Sequence, residues 1–282
     1  MIFTTKKALH TQGVILLVAL TIVWASALPL IRGAVGNLSP AALIATRFAI
    51  AAVAFVPCLR GLNAHLVRDG TLLGFVLFVN FAAQAIGLET ISANRAAFIT
   101  SLYVILVPLL GPLFGQRVPV RAFLAAGLAL TGIGVMSWEG GVLGVGDLWT
   151  FGCALNYAVY ILMLEAITLR HPPLPLTAVQ LLTMAILGAV WAAPELVGQL
   201  GAIATNFSVL LYLGLVVTAT TIGLQVVVQR WVPAHETALI YASEPVFAAV
   251  FSFWLLGERL GTRGMVGGGL VLAAMVLSQK RR

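Results

Sequence analysis

Two charged residues stand where a lipid-embedded chain should have none. Glu244 lies inside the apolar stretch 236–257 and is followed directly by Pro245, and Arg47 lies inside the apolar stretch 40–59. A carboxylate near a bilayer centre costs roughly 2.5–3.5 kcal/mol on insertion scales, so something must offset it. The chemistry open to Glu244 is proton exchange or capture of a substrate amine in a central cavity, because intramembrane acids line polar pathways or pair. The alternative is a carboxyl that caps backbone groups freed by Pro245, which has no amide hydrogen and kinks its helix. Arg47 has three readings: a partner for Glu244, a site for a substrate carboxylate, or a long stem snorkelling to an interface. Both residues sit roughly 12 Å into their spans at 1.5 Å per residue, so their depths allow an ion pair. Catalytic patterns are lacking: the sequence holds no HExxH, GxSxG, P-loop or clustered Cys/His set. No enzyme, metal site or cofactor is expected. Cys58 and Cys153 read as small packing residues. His10, His65, His171 and His235 read as solvated connection residues.

Polar and aromatic side chains extend the set of candidate substrate contacts. Asn80 and Gln84, spaced i, i+4, share one helix face, while Thr218, Thr220, Thr221 and Gln225 lie together further along. Interhelical hydrogen bonds explain such residues without a substrate; their occurrence in matching spans of a repeat favours a cavity. Trp24, Tyr103, Tyr157, Tyr160 and Tyr241 fall inside spans rather than at the interfaces where belt aromatics sit. Each pairs an apolar body with a polar handle, which suits either core packing or a cavity for amphiphilic and aromatic solutes. Ser243, beside Glu244, joins them.

A membrane scaffold must position these groups. Of 282 residues 61% are hydrophobic and 9% charged, against about a quarter charged in soluble domains, so the chain is an all-α polytopic membrane protein. Its net charge of +7 does not signal nucleic acid, because Lys and Arg stand at the ends of apolar runs rather than along one face. Lys6-Lys7, the run 14–24 and Ala25-Ser26-Ala27 mimic a signal peptide; the segment is read as a first transmembrane helix. Apolar segments of about 20 residues, enough to span the hydrocarbon core, fall at 12–33, 40–59, 70–88, 94–114, 119–138, 147–168, 176–194, 207–229, 236–257 and 261–278. These are ten spans with short connections. With the N-terminus inside, Lys6, Lys7, Arg60, Arg68, Arg117, Arg121, Arg170, Arg230, Lys280, Arg281 and Arg282 fall at inner ends and only Arg32, Arg95, Arg259 and Arg263 at outer ones. The positive-inside bias therefore puts both termini in the cytoplasm.

The chain also contains itself twice. Shifted by 142, Gly257-Glu258-Arg259 falls on Gly115-Gln116-Arg117, Arg263 on Arg121 and Ser243 on Ser101; at a shift of 133, Gly146 falls on Gly13, Tyr157 on Trp24 and Gln180 on Arg47. Residues 1–138 and 139–282 thus form two five-helix repeats, and because five is odd the second is inverted. Such repeats build transporters with a substrate site near the bilayer midplane. Gly127 and Gly134 in the fifth span, and Gly264 and Gly268 in the tenth, follow small-xxx-small logic and read as packing contacts between the halves.

Ser243-Glu244-Pro245-Val246-Phe247, then Leu256-Gly257-Glu258-Arg259-Leu260, the degenerate copy at Gly115-Gln116-Arg117, Trp24-Ala25-Ser26 and Thr46-Arg47-Phe48 together resemble the EamA-type branch of the drug/metabolite transporter superfamily, over nearly the whole chain. The resemblance implies ten helices in two inverted repeats, a bacterial-type inner membrane and a secondary transporter. Its activity would be export of amino acids or similar small amphiphilic metabolites by alternating access. One branch exports aromatic and other large apolar amino acids, and the chain is compatible with it. Drug or lipophilic-cation effluxers and nucleotide-sugar or sugar-phosphate exchangers are the alternatives within the superfamily. Phosphorylated substrates would want several basic groups, and only Arg47 is mid-span. A non-transporting membrane scaffold is the alternative from another class. Gln116 stands where the family has Glu, and Leu102-Tyr103 where it has Glu-Pro, which leaves Glu244 without a symmetric counterpart. The expected partners are a small-molecule substrate and the lipid bilayer, without nucleic acid, in a monomer or weak homo-oligomer.

Overall fold

A computed structural model of the chain describes residues 2–27, 38–91, 93–137, 143–256 and 261–279. The motif residues Gly257-Glu258-Arg259, Arg32 and the basic C-terminal residues lie outside them. Among the described residues all regular structure is helical, the form in which a lone apolar segment satisfies its own backbone groups in lipid. Six segments are long and apolar enough to cross a membrane: Lys7–Ala25, Pro40–Cys58, Ala64–Leu88, Val145–Thr168, Pro173–Ala192 and Phe207–Val228. Phe98–Phe114, Val120–Met136, Leu196–Thr205 and Thr262–Leu277 are apolar but shorter.

In chain order the first elements are α1 (Ile2–Ala25), α2 (Pro40–Phe55), α3 (Ala64–Leu88), α4 (Ala93–Thr100), α5 (Tyr103–Leu110) and α6 (Val120–Ser137). Then follow α7 (Val145–Thr168), α8 (Pro173–Ala192), α9 (Leu196–Thr205), α10 (Phe207–Tyr212), a π-helix (Leu213–Thr220) and α11 (Thr221–Val228). The chain ends with α12 (Ala234–Tyr241), α13 (Glu244–Leu256) and α14 (Thr262–Gln279). Local chemistry sets several starts. Ser39 caps α2 by accepting from the Ala42 amide at 3.2 Å, ahead of Pro40 in the first turn, and Asn63 caps α3 through the Leu66 amide at 2.9 Å. The helix α9 occupies a stretch read from sequence as a plain connection, and none of its residues is buried.

Two apolar segments are broken at equivalent places. α12 gives way to α13 at Ala242–Ser243, because Pro245 cannot donate to the carbonyl four residues back and its ring crowds that turn. The Ser243 hydroxyl donates to Ile240 O at 2.5 Å, a carbonyl that also accepts from the Ser243 backbone amide at 3.1 Å. α4 gives way to α5 at Ser101–Leu102, 142 residues before Ser243, where no proline follows to explain the break. A different distortion interrupts α10–α11: the side-chain hydroxyls of Thr218 and Thr220 donate to Leu213 O and Leu215 O, five residues back, at 2.7 and 3.0 Å. That is the spacing of the π-helix, a form that gathers at functional sites.

Helices from residues 2–137 pack chiefly against helices from 143–279: α6 on α14, α2 on α8, α2 on the π-helix, α3 on α7 and α8, and α1 on α11. α6 and α14 touch through glycine. A Cβ on Gly132 would fall 2.6 Å from Gly267 O and 2.9 Å from Leu270 Cβ, while one on Gly267 would crowd Gly132 O and Met136. Gly127, by contrast, has nothing within 4 Å of such a Cβ, Gly134 meets only Phe98 at 3.4 Å, and Gly268 only Val246 from 3.5 Å. Gly264 is half-buried. The close approach between α6 and α14 therefore rests on Gly132, between Gly127 and Gly134, and on Gly267, between Gly264 and Gly268, rather than on the four glycines read off the sequence.

Candidate functional site

α1, α5, α7 and α12 bring the five aromatics into one cluster centred on Tyr157. Its ring centroid lies 5.1 Å from Tyr103, 6.0 Å from Tyr160, 6.4 Å from Trp24 and 6.4 Å from Tyr241, and Trp24 meets Tyr241 edge-on at 5.2 Å. These separations are those of favourable aromatic pairs. Tyr157 and Tyr160 share a face of α7 at i, i+3; the break after Tyr241 ends α12 at the cluster. Tyr160 and Tyr241 are fully buried, Trp24 half-buried. The hydroxyls of Tyr157 and Tyr241 have no hydrogen-bond partner among the described residues, an arrangement that leaves polar handles for a polar solute.

Glu244 stands beside this cluster, half-buried, as the first residue of α13. The break thus makes a helix N-terminus within an apolar segment, where the macrodipole favours a carboxylate. Its charge is within electrostatic reach of Tyr103, Tyr157, Tyr241 and Arg47. Arg47 is 8% exposed. Its Nε donates to Thr218 Oγ1, and its Cζ lies 5.5 Å from the Phe81 ring centroid and 5.8 Å from that of Phe48, a cation–π setting. The π-helix turns Thr218 to face it.

The remaining polar candidates divide. Asn80 Oδ1 accepts from Cys153 Sγ at 3.0 Å in the α3–α7 seam, whereas Gln84 is half-buried one turn on. Thr221 donates to Val217 O of the preceding π-helix at 2.6 Å. Gln225 is 1% exposed, with neither amide atom partnered among the described residues.

Several polar contacts were not anticipated. Gln180, read from sequence only as the repeat counterpart of Arg47, donates to Tyr160 Oη at 2.7 Å. Glu165 Oε2 accepts from Gln116 Nε2 at 2.7 Å and from the Ala234 amide at 2.9 Å. Arg95 grips both oxygens of Asp147, at 2.5 and 2.9 Å. Two histidines expected to be solvated are paired instead: His10 meets Glu236 at 2.7 Å, and His171, 8% exposed, meets Asp69 at 2.9 Å. Their partners are 226 and 102 residues away in the chain, so no local pattern announces them. Glu165 alone carried a usable signal, an acid near the end of an apolar helix.

Among the described residues no cluster of His, Cys, Asp and Glu is able to hold a metal ion. The model of the EamA-like transporter family matches the chain twice, over residues 11–138 and 144–279. An uncharacterized transporter of Archaeoglobus fulgidus is 30% identical over 98% of this chain and 87% of its own length, and a second from that organism is 25% identical over 78% and 79%. A protein of Streptantibioticus cattleyicolor described as a probable terminal-alkyne amino-acid exporter is 26% identical over 96% and 94%. A crystal structure at 18% identity superposes with a TM-score of 0.80, covering 94% of this chain and 97% of that one; it speaks to the fold alone.

Proposed function

Because the chain belongs to the EamA-like transporter family, a family of non-enzymatic membrane transporters, we propose that it exports amino acids or similar small amphiphilic metabolites across a bacterial-type inner membrane. Ten spans in two inverted five-helix halves work by alternating access. Support for the inversion comes from the doubled family match, the breaks after Thr100 and Tyr241 at the same offset in the two halves, and the odd number of spans per half. The observation that carries the substrate reading is the convergence of Trp24, Tyr103, Tyr157, Tyr160 and Tyr241 beside Glu244. Aromatic faces and a carboxylate take an ammonium group, and the Arg47 guanidinium, in electrostatic reach of Glu244, takes the carboxylate of the same zwitterion. Gln225 and the unpartnered tyrosine hydroxyls supply further hydrogen bonds.

A second reading, efflux of lipophilic cations, is favoured by the same aromatic cluster with its single acid; Arg47 discriminates. In proteoliposomes loaded with radiolabelled amino acids, their decarboxylated amines or lipophilic cations, wild type moves apolar amino acids. Glu244→Gln slows that flux about tenfold or more, the equivalent of one charge-assisted hydrogen bond. Arg47→Gln raises the KM for amino acids and leaves that for the amines unchanged. Flux of cations without zwitterions selects the second reading. A folded wild type that moves none of the panel refutes both.

A further inference from the structure

The elements that contribute aromatic rings to the candidate site, or the turns they lead into, also contribute groups to a polar cluster at one end of the molecule. α7 carries Tyr157 and Tyr160 and then Glu165, about 7.5 Å beyond Tyr160 at 1.5 Å per residue. α12 carries Tyr241 and, at its own start, the Ala234 amide and Glu236. α1 carries Trp24 and, about four turns earlier, His10. α5 carries Tyr103 and leads into the turn that holds Gln116.

Glu165 lies at the crossing point. Its Oε2 accepts from Gln116 Nε2 at 2.7 Å and from the Ala234 amide at 2.9 Å, while Glu236, two residues after Ala234, meets His10 Nε2 at 2.7 Å. The turn sets the position of Gln116: Gly115 turns the chain at φ 74°, a conformation that favours glycine, and the Gln116 backbone N–H donates to Gly111 O at 3.0 Å. α12 is a short lever, bounded by Pro233 at one end and by the break at Ala242–Ser243 at the other. Displacing its Ala234 end moves Tyr241 and the start of α13, which is Glu244. We infer that Glu165 is a positioning residue for transport: its bonds to Gln116 and to the first residue of α12 hold shut the end of the molecule where α1 and α12 begin, and their release opens the candidate site to that side.

This inference rests on the alternating-access reading, and its test needs no substrate. In a Cys58→Ala, Cys153→Ala background, Thr237→Cys places a reporter on α12 between the latch and Tyr241, at a position fully buried in this structure. A membrane-impermeant maleimide is applied to oriented proteoliposomes from each side. Glu165→Ala is expected to speed labelling roughly tenfold or more from the side bearing the N-terminus and to leave the other side unchanged. Glu165→Gln keeps an acceptor oxygen and stays near the parent rate. Gln116→Ala speeds labelling less than Glu165→Ala, and carries the test alone if the latter does not fold. Unchanged labelling in both alanine variants overturns the latch, as does equal acceleration from both sides, which reports general loosening. Amino-acid flux in the parent with unchanged labelling sinks the latch while keeping the transporter reading; faster one-sided labelling without amino-acid flux does the reverse for the substrate assignment.

Discussion

Replacing Gly132 by Ala inserts a methyl group where α6 and α14 touch through backbone. The new Cβ would stand 2.6 Å from Gly267 O and 2.9 Å from both Leu270 Cβ and Val271 Cγ2. Ordinary contact begins near 3.4 Å, and neither a carbonyl oxygen nor a Cβ can swing aside, so the helices must part by about 0.8 Å along that line. A radial gap of 0.5–1 Å forfeits roughly a quarter to a half of the dispersion well for every atom pair across the interface. Overpacking of this kind costs about 1–3 kcal/mol. Gly127→Ala is the internal control, because its Cβ meets nothing within 4 Å and it gains up to about 1 kcal/mol of helix propensity. Equilibrium unfolding in mixed micelles with a denaturing detergent, followed by tryptophan fluorescence, measures both. The expected order of stability is Gly127→Ala at or above wild type and Gly132→Ala clearly below it. If Gly132→Ala is as stable as wild type, or Gly127→Ala is equally damaging, the assignment of the contact to Gly132 and Gly267 fails.

Thr218→Val removes the acceptor for the buried Arg47 Nε at constant shape and is expected to lose about 1.5–3 kcal/mol, the range for a hydrogen bond to a charged group; Thr218→Ser, which keeps the hydroxyl, should recover most of it in the same unfolding assay. Reporter domains that fluoresce only in the cytoplasm should do so when fused at either terminus, as the distribution of Lys and Arg requires; a dark fusion at one end would mean an odd number of spans.

Much of the scaffold was legible because lipid imposes its rules one segment at a time. Length and apolarity marked the six segments long enough to cross a membrane; Pro245 marked the break beneath Glu244, because a missing amide hydrogen acts within one turn. The apolar helix α9 and the π-helix were not legible. Nothing in 213–220 distinguishes a threonine that bonds four residues back from one that bonds five, since the choice depends on how closely α2 presses against that stretch: a Cβ on Gly214 would fall 2.7 Å from Ile50 Cβ.

The candidate site divides along the same line. Mid-span position, read at 1.5 Å per residue, picked out Glu244, Arg47 and the five aromatics, because depth is additive along a helix. It left Arg47 open between Glu244, a substrate and an interface, and only the packed structure, in which α2 lies against the π-helix, delivers its guanidinium to Thr218, 171 residues away. The same holds for Gly132 rather than Gly127, and for the network on Glu165. Sequence alone determined what each segment is and how deep its residues lie; the tertiary structure decided which face of each helix meets which neighbour, because rotation about a helix axis and the choice of partner are fixed by the whole set of contacts and by no single segment.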